Sequence, residues 1–554
     1  MRGTAAPTWL RRAGVGLWIL VGLYAAWTVG QRLVWPSVSS GVTQATRDTS
    51  LALADFTNVW NSIVDGFGLT TARIESYWVL DEATFVVVAA ASAAGMILLV
   101  AVLASTQPGR RRDKFIRGAK LKGAPTPFGR LFTARAGAGQ LSVGGVPIPR
   151  AAEVEHILLS GATGTGKSTA MDSFLPKIRE RGDRCFVIDL DGSFYARHGR
   201  PGDLLLNPYD ARSVQWSPFA ELVSDEDYRR IAEAMIPPAQ DGGLNGDWIQ
   251  YGQGMVADLM RVMKQEKDLR PRQLHHWLTA ASPQNLGDML QGTTSAVLAD
   301  SSNEKFLGSV RGVTTPYIGY LDLLPADAGG FSVRQWIRDE SNKGWLFLTY
   351  RQDQQAKLGA FLSCVAAIAM LEALSLPECR DCRLFFMLDE LATLGPLNRV
   401  PDTLTKLRKH GGCVVLAVQV LAQLRAVYGA DMAQAIVGNA GTKIILRQGD
   451  AETAKSWEAQ LGEHEVRRWS ESMSSNDSGN DRGRRRSRGQ SFGEQVVREP
   501  VMLASELMAM PNLQGVLMRA GRPHQRFRYI ENVGMPKVNE AYVAKALDAH
   551  EPVD

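Results

Sequence analysis

Cysteine is scarce in this 554-residue chain: five residues, scattered, without the spacing of a disulfide framework. That excludes a small disulfide-stapled scaffold and leaves a chain whose bulk reads as reduced and cytosolic. Cys379-Arg380-Asp381-Cys382 is a lone C-x-x-C with no partner pair, and only His410 is at all close in sequence. It reads as a surface loop before a strand, with zinc or thiol redox chemistry as the alternative. A strong excess of one charge is also missing. The formal net charge is +5, which says little until it is located. With 45% hydrophobic and 21% charged residues the composition is that of a globular protein, long enough for roughly three or four domains.

What is present begins with Gly161-Ala162-Thr163-Gly164-Thr165-Gly166-Lys167-Ser168, which fits the P-loop pattern G-x-x-x-x-G-K-[ST]. The apolar run His156 to Ser160 before it predicts a buried strand, and a helical pattern runs from Thr169 to Arg179. Glycines at these positions let backbone N–H groups turn inward around phosphate oxygens, and the helix N-terminus adds its partial positive charge. Lys167 is expected to reach the β- and γ-phosphates. Ser168, with Thr169 after it, starts the helix and offers a Mg²⁺ ligand. ATP and Mg²⁺ are the cofactors this implies.

The chain also has two long uncharged stretches, Ala13 to Gly30 and Phe85 to Ala104, each about the length that crosses a ~30 Å hydrocarbon core. They predict an anchor over residues 1–108, with spans at about 13–34 and 85–104. Arg2, Arg11 and Arg12 precede the first, and a basic stem from Arg110 to Lys122 follows the second. The loop between carries the acids. The positive-inside rule then puts both termini in the cytoplasm and the loop outside. The stem suits acidic lipid head groups, with nucleic acid as the alternative.

After the P-loop, strands alternate with helices, which predicts a parallel sheet with its ligand at the strand C-termini. The alternation stops from about Asp225 to Ala326. Apolar residues there recur at helical spacing (Ile231, Met235; Leu259, Val262, Met263), predicting an inserted all-α domain over 216–328. The nucleotide domain is thus expected in two parts, 109–215 and 329–535, with a tail over 536–554. Arg383 to Glu390 is a strand of hydrophobics ending in two acids, the Walker B pattern. Asp389 is expected to hold Mg²⁺ and Glu390 to orient and deprotonate the attacking water. A water-activating carboxylate beside the metal carboxylate points to the RecA-like branch of α/β P-loop NTPases. Gln419, ending the next strand, offers a sensor of the γ-phosphate, with an ordinary strand-end polar residue as the alternative. Arg408 offers an arginine finger for a neighbouring subunit, Arg447 a rival, and a plain helix-end charge accounts for either. Residues 470–492, rich in Ser, Asn, Gly and Arg, predict a mobile loop, solvated or touching a nucleic-acid backbone.

Two N-terminal spans, GATGTGKST at 161, DLDGSF at 189, LLLNPYD at 204, LFLTYRQDQ at 346, FFMLDELATLG at 385, GGCVVLAVQVLAQL at 411 and LGEHEV at 461 occur in one order. In this the chain resembles the TraD-type coupling proteins of conjugative type IV secretion. The resemblance implies a hexameric RecA-like ring on the inner membrane of a Gram-negative bacterium. It implies ATP hydrolysis coupled to moving relaxase-bound single-stranded DNA into the secretion channel. Relaxosome proteins, inner-membrane secretion components and the lipid bilayer are the implied partners. Arg408 falls at the family's arginine-finger position, whereas Glu155 stands where some members carry a basic residue. An FtsK-type translocase of double-stranded DNA would share the motor but is expected to have more spans. An ABC-type ATPase would need a Leu-Ser-Gly-Gly-Gln signature, which is absent. A docking scaffold that never hydrolyses would not need Glu390.

Overall fold

The computed structural model describes residues 114–124, 139–238, 246–397, 400–480, 483–529 and 535–545. Both expected spans and the loop between them lie outside these residues. The described part is built on a ten-stranded sheet. In chain order its strands are β1 (Leu121–Lys122), β2 (Ile157–Ser160), β3 (Arg184–Leu190), β4 (Leu204–Leu206) and β5 (Leu346–Tyr350). They continue with β6 (Leu384–Leu388), β7 (Gly412–Val418), β8 (Thr442–Ile445), β9 (Gln514–Arg519) and β10 (His524–Arg528). Across the sheet the order is β1-β10-β9-β8-β2-β7-β6-β3-β5-β4. From β8 to β4 all neighbours are parallel, while β9 runs antiparallel to both β8 and β10, so the sheet is mixed.

Burial on both faces explains why the central strands read as unbroken apolar runs such as LFFML and GCVVLAV. Alternate residues serve opposite cores. Leu158, Phe186 and Leu416 join one, and Ile157, Leu159, Val187 and Val415 join the other. Helix α1 (Lys167–Glu180) closes the second face with Phe174, Leu175 and Ile178. Between β4 and β5 come α2 (Asp225–Met235), α3 (Gly246–Gln265), α4 (Pro271–Thr279) and α5 (Glu304–Ile318). A capping box of Ser224 and Asp227 starts α2. Arg334 joins Asp227 (2.6 Å) to Glu372 (2.7 Å) of α6 (Gln355–Ala373), a buried ion network fastening these helices to the sheet's flank. Breaking one partner of such a network leaves a buried charge uncompensated, at a cost of about 3–5 kcal/mol. Among the described residues, Gln352–Ala373 is long and apolar enough to span a membrane, but 72% of its apolar window is buried inside the fold. It is a core helix.

Where composition predicts a mobile loop over 470–492, the structure differs. The backbone forms a long antiparallel ladder, from Glu463↔Pro500 to Asn480↔Gly483. Ladder hydrogen bonds use the main chain alone, so a Ser-, Gly- and Arg-rich stretch can pair without presenting an apolar face. The strand Lys114–Gly118 extends this hairpin, with Arg117 bonding Glu465 at 2.7 and 2.8 Å. The C-x-x-C is not a plain loop either, because Cys379 and Cys382 are joined in a disulfide.

Candidate active site

The P-loop is the turn from β2 into α1, and its neighbours hold it open. The Gly161 N–H donates to Val418 at the end of β7 (3.2 Å), and the Ala162 N–H to Arg447 beyond β8 (2.9 Å). Leu513 N–H donates to the Thr165 carbonyl (2.9 Å). Two of its glycines are required by geometry. Gly166 caps α1 at φ +113°, and a Cβ on Gly161 would lie 2.7 Å from Thr165 Oγ1 and 2.8 Å from Leu446 Cβ. Gly164, at φ +73°, has open space around it. Thr163, Gly164 and Ser168 are exposed at the loop's rim, with Thr169 half-buried behind them.

The charged groups converge here from separate strands. Lys167 is buried, and its Nζ donates to the carbonyls of Gly161 (2.7 Å) and Ala162 (3.1 Å). Burial lowers its pKa, against the pull of Glu390 and Asp389. Asp389 follows β6, and burial pushes its carboxyl up to about 6, with Lys167 opposing and Asp172 adding like-charge repulsion. Glu390 is also raised by burial, held back by Lys167 and by a hydrogen bond from Gln419. Its backbone sits at φ +72°, a left-handed conformation costing a non-glycine residue about 1–3 kcal/mol. Such strain persists where the surroundings over-determine it, and here it aims the carboxylate beside the P-loop. Gln419 bridges the two motifs, its Oε1 accepting from Thr163 Oγ1 at 3.1 Å.

The structure thus brings the P-loop, Asp389, Glu390 and Gln419 together. It keeps Arg408 apart. Arg408 opens a short turn between α7 (Val400–Leu407) and the start of β7, and pairs with Glu155, which precedes β2, at 3.2 Å. That is the N-terminal end of the parallel strands, a full length of β7 from the P-loop at their C-terminal end. Arg447 is by contrast joined to the P-loop through its own carbonyl.

Three residues escaped sequence reasoning. Asp172 lies one turn beyond Ser168 on the same helix face and accepts from His198 Nε2 (2.7 Å) and Arg197 Nε (3.1 Å). An acid in an otherwise buried apolar stripe was the available signal. Asp189, next to last in β3, is fully buried and pushed up to about 7 by that burial, despite accepting from the Tyr195 N–H (2.7 Å). His156, at φ +62°, accepts from the Val414 N–H (3.1 Å) and donates from Nε2 to Leu404 (2.7 Å). It ties the P-loop strand to β7 and to α7.

A P-loop on a central parallel strand, a Walker B strand one place removed, and β7 between them with Gln419 just past its end define a RecA-like P-loop NTPase. A family model described as the type IV secretion-system coupling protein DNA-binding domain matches residues 140–529. The chain belongs to that family of coupling proteins. It is 28% identical over 405 residues to the coupling protein TraD of Escherichia coli (strain K12), covering 72% of this chain and 55% of that one, so it matches about half the relative's length. Among solved structures, the conjugative coupling protein TrwBdeltaN70 in its unbound monoclinic form is similar at 31% identity and a TM-score of 0.69, over 79% of this chain and 98% of that one. TrwB in complex with ADP and Mg²⁺ is similar at 30% identity and a TM-score of 0.68, covering 79% of this chain and 99% of that one.

Proposed function

We propose that the chain is an ATP-hydrolysing coupling protein of conjugation, anchored by residues 1–108 in a bacterial inner membrane with its large domain in the cytoplasm. It links relaxosome to secretion channel and moves relaxase-bound single-stranded DNA. Residues 109–215 and 329–535 form the nucleotide domain and 216–328 the inserted one. The carrying observation is the convergence of Lys167, Asp389, Glu390 and Gln419 on one glycine loop. The solved complexes of TrwB with ADP and Mg²⁺ and with the ATP analogue ADPNP support the choice of nucleotide.

The residues fit a magnesium nucleotide. Asp389 and Asp172 repel one another in a buried site, which a divalent cation at Ser168 and Asp389 would relieve. Mg²⁺ supplies charge neutralisation at the phosphates when bound. The chain's own groups do the rest. Backbone N–H groups of 161–166 and the N-terminus of α1 bind phosphate oxygens, and Lys167 swings from its loop carbonyls to them. Glu390 orients water and takes its proton, and Gln419 relays the phosphate's presence from Thr163 to Glu390.

Arg408 acts in trans. β7 has 7 residues, so the sheet alone separates Arg408 from its own P-loop by about 20 Å, beyond any arginine's reach. A head-to-tail ring, hexameric in this reading, puts that edge beside the next subunit's phosphates. The test is ATP hydrolysis by the full chain with and without single-stranded DNA. Wild type is expected to be stimulated by DNA. Glu390→Gln is expected to lose about 100- to 10,000-fold while still binding nucleotide. A Glu390→Gln protein as active as wild type would overturn the reading.

A further inference from the structure

We propose that Cys379 and Cys382 are a reversible dithiol–disulfide pair whose state sets the order of the Arg408 turn. The inference rests on the trans role of Arg408 given above. The disulfide closes the short loop before β6, and this loop lies directly under the turn that carries Arg408.

The two segments share one main-chain bond and one from a side chain. The Cys379 N–H donates to the Lys409 carbonyl (3.1 Å), and His410 Nδ1 meets the Leu376 carbonyl (2.6 Å). Gly411 ends the turn at φ +73°, and a Cβ there would lie 2.5 Å from the Cys382 carbonyl, so the two backbones are in contact. The loop's other side is fixed to the core. Arg383 donates to the carbonyls of Arg380 (2.7 Å) and Cys382 (2.6 Å), and Arg150 to that of Asp381 (2.7 Å). The disulfide thus closes a loop bonded on its other side to Arg150 and Arg383, and the Arg408 turn rests on it.

The pair is also placed to react. Cys382 is exposed and Cys379 half-exposed, whereas Cys185, Cys364 and Cys413 are buried. The Cys382 N–H points at Cys379 Sγ (3.1 Å), a contact that stabilises a thiolate there. In a reducing compartment a solvent-facing disulfide of this kind is regulatory rather than structural. Its partner is a small thiol–disulfide couple of the glutathione class. In oxidation the Cys382 thiolate attacks glutathione disulfide and releases one glutathione thiolate. The Cys379 thiolate then attacks Cys382 Sγ of the mixed disulfide and releases the second. The protein loses two electrons and two protons, and one disulfide becomes two thiols. Reduction is the reverse.

The full chain, equilibrated at graded glutathione to glutathione-disulfide ratios, is alkylated and followed by mass spectrometry, amide exchange and ATP hydrolysis. Cys379 and Cys382 should become alkylated together as the ratio rises, with the other cysteines unlabelled. On reduction the Cys379 and Gly411 amides should exchange about tenfold faster, as local opening frees both segments. Hydrolysis should fall severalfold. A double variant, Cys379→Ser with Cys382→Ser, should behave as the reduced protein and ignore glutathione. A pair that stays dithiol at every ratio overturns the proposal, as does unchanged exchange at Gly411 or hydrolysis indifferent to reduction. Hydrolysis absent in both states, with the exchange change intact, instead contradicts the proposed function and leaves the clasp standing.

Discussion

Lys167 spends its ammonium on two P-loop carbonyls while two carboxylates stand nearby, an arrangement that only a phosphate would improve. Lys167→Ala should therefore abolish nucleotide binding, read by fluorescent-nucleotide titration, with little change in melting temperature. Protonation offers a second residue-scale test. His156 is buried neutral, its pKa lowered to about 4 by burial. Above its unfolded value of about 6.5 both states are neutral and the ring costs nothing. As pH falls from there towards about 4 the unfolded chain takes up the proton first, so about 3 kcal/mol of stability is lost. Asp389 and Asp189 have the opposite sign, because their carboxyls are raised in the folded state and gain stability as pH falls below about 6 and about 7. A His156→Asn variant isolates the histidine, since asparagine tolerates the left-handed backbone. Urea midpoints measured between pH 6.5 and 4 should drop less steeply for it than for wild type. The raised Asp389 also predicts that magnesium–nucleotide affinity weakens as pH falls below about 6, measurable by calorimetry.

Elements explain which parts were legible in the sequence. The P-loop and Walker B strands announce themselves because a strand buried on both faces must be apolar along its whole length, so Leu384 to Leu388 ends visibly at its acids. Gln419 was legible for the same reason, as the first polar residue after Val418. Asp172 and His156 were not, since their roles arise from neighbours 26 and 258 positions away. The pairing of 463–500 was not legible, because backbone pairing leaves no mark in composition. The parallel strand also separates the two arginines, since Arg408 precedes β7 at its N-terminal end while the Arg447 carbonyl accepts from the P-loop. Arg408→Ala should bind nucleotide as wild type does but lose about 1,000-fold or more in hydrolysis. Glu155→Ala, which removes the exposed partner of Arg408, should change stability by less than about 1 kcal/mol.

At the scale of the whole molecule, the proposed trans role of Arg408 would make assembly a condition of turnover. On that proposal, salt-sensitive DNA contact by the basic segments around the hairpin would favour assembly. The most direct test mixes two inactive proteins, Glu390→Gln and Arg408→Ala, in equal amounts under assembling conditions. A site on an Arg408→Ala chain keeps Glu390, and a Glu390→Gln neighbour supplies its arginine. About one quarter of the interfaces in a randomly mixed head-to-tail ring should then be whole. Hydrolysis recovering to about that fraction of wild type is the predicted result. A mixture as inactive as its components, or an Arg408→Ala protein active by itself, would contradict it.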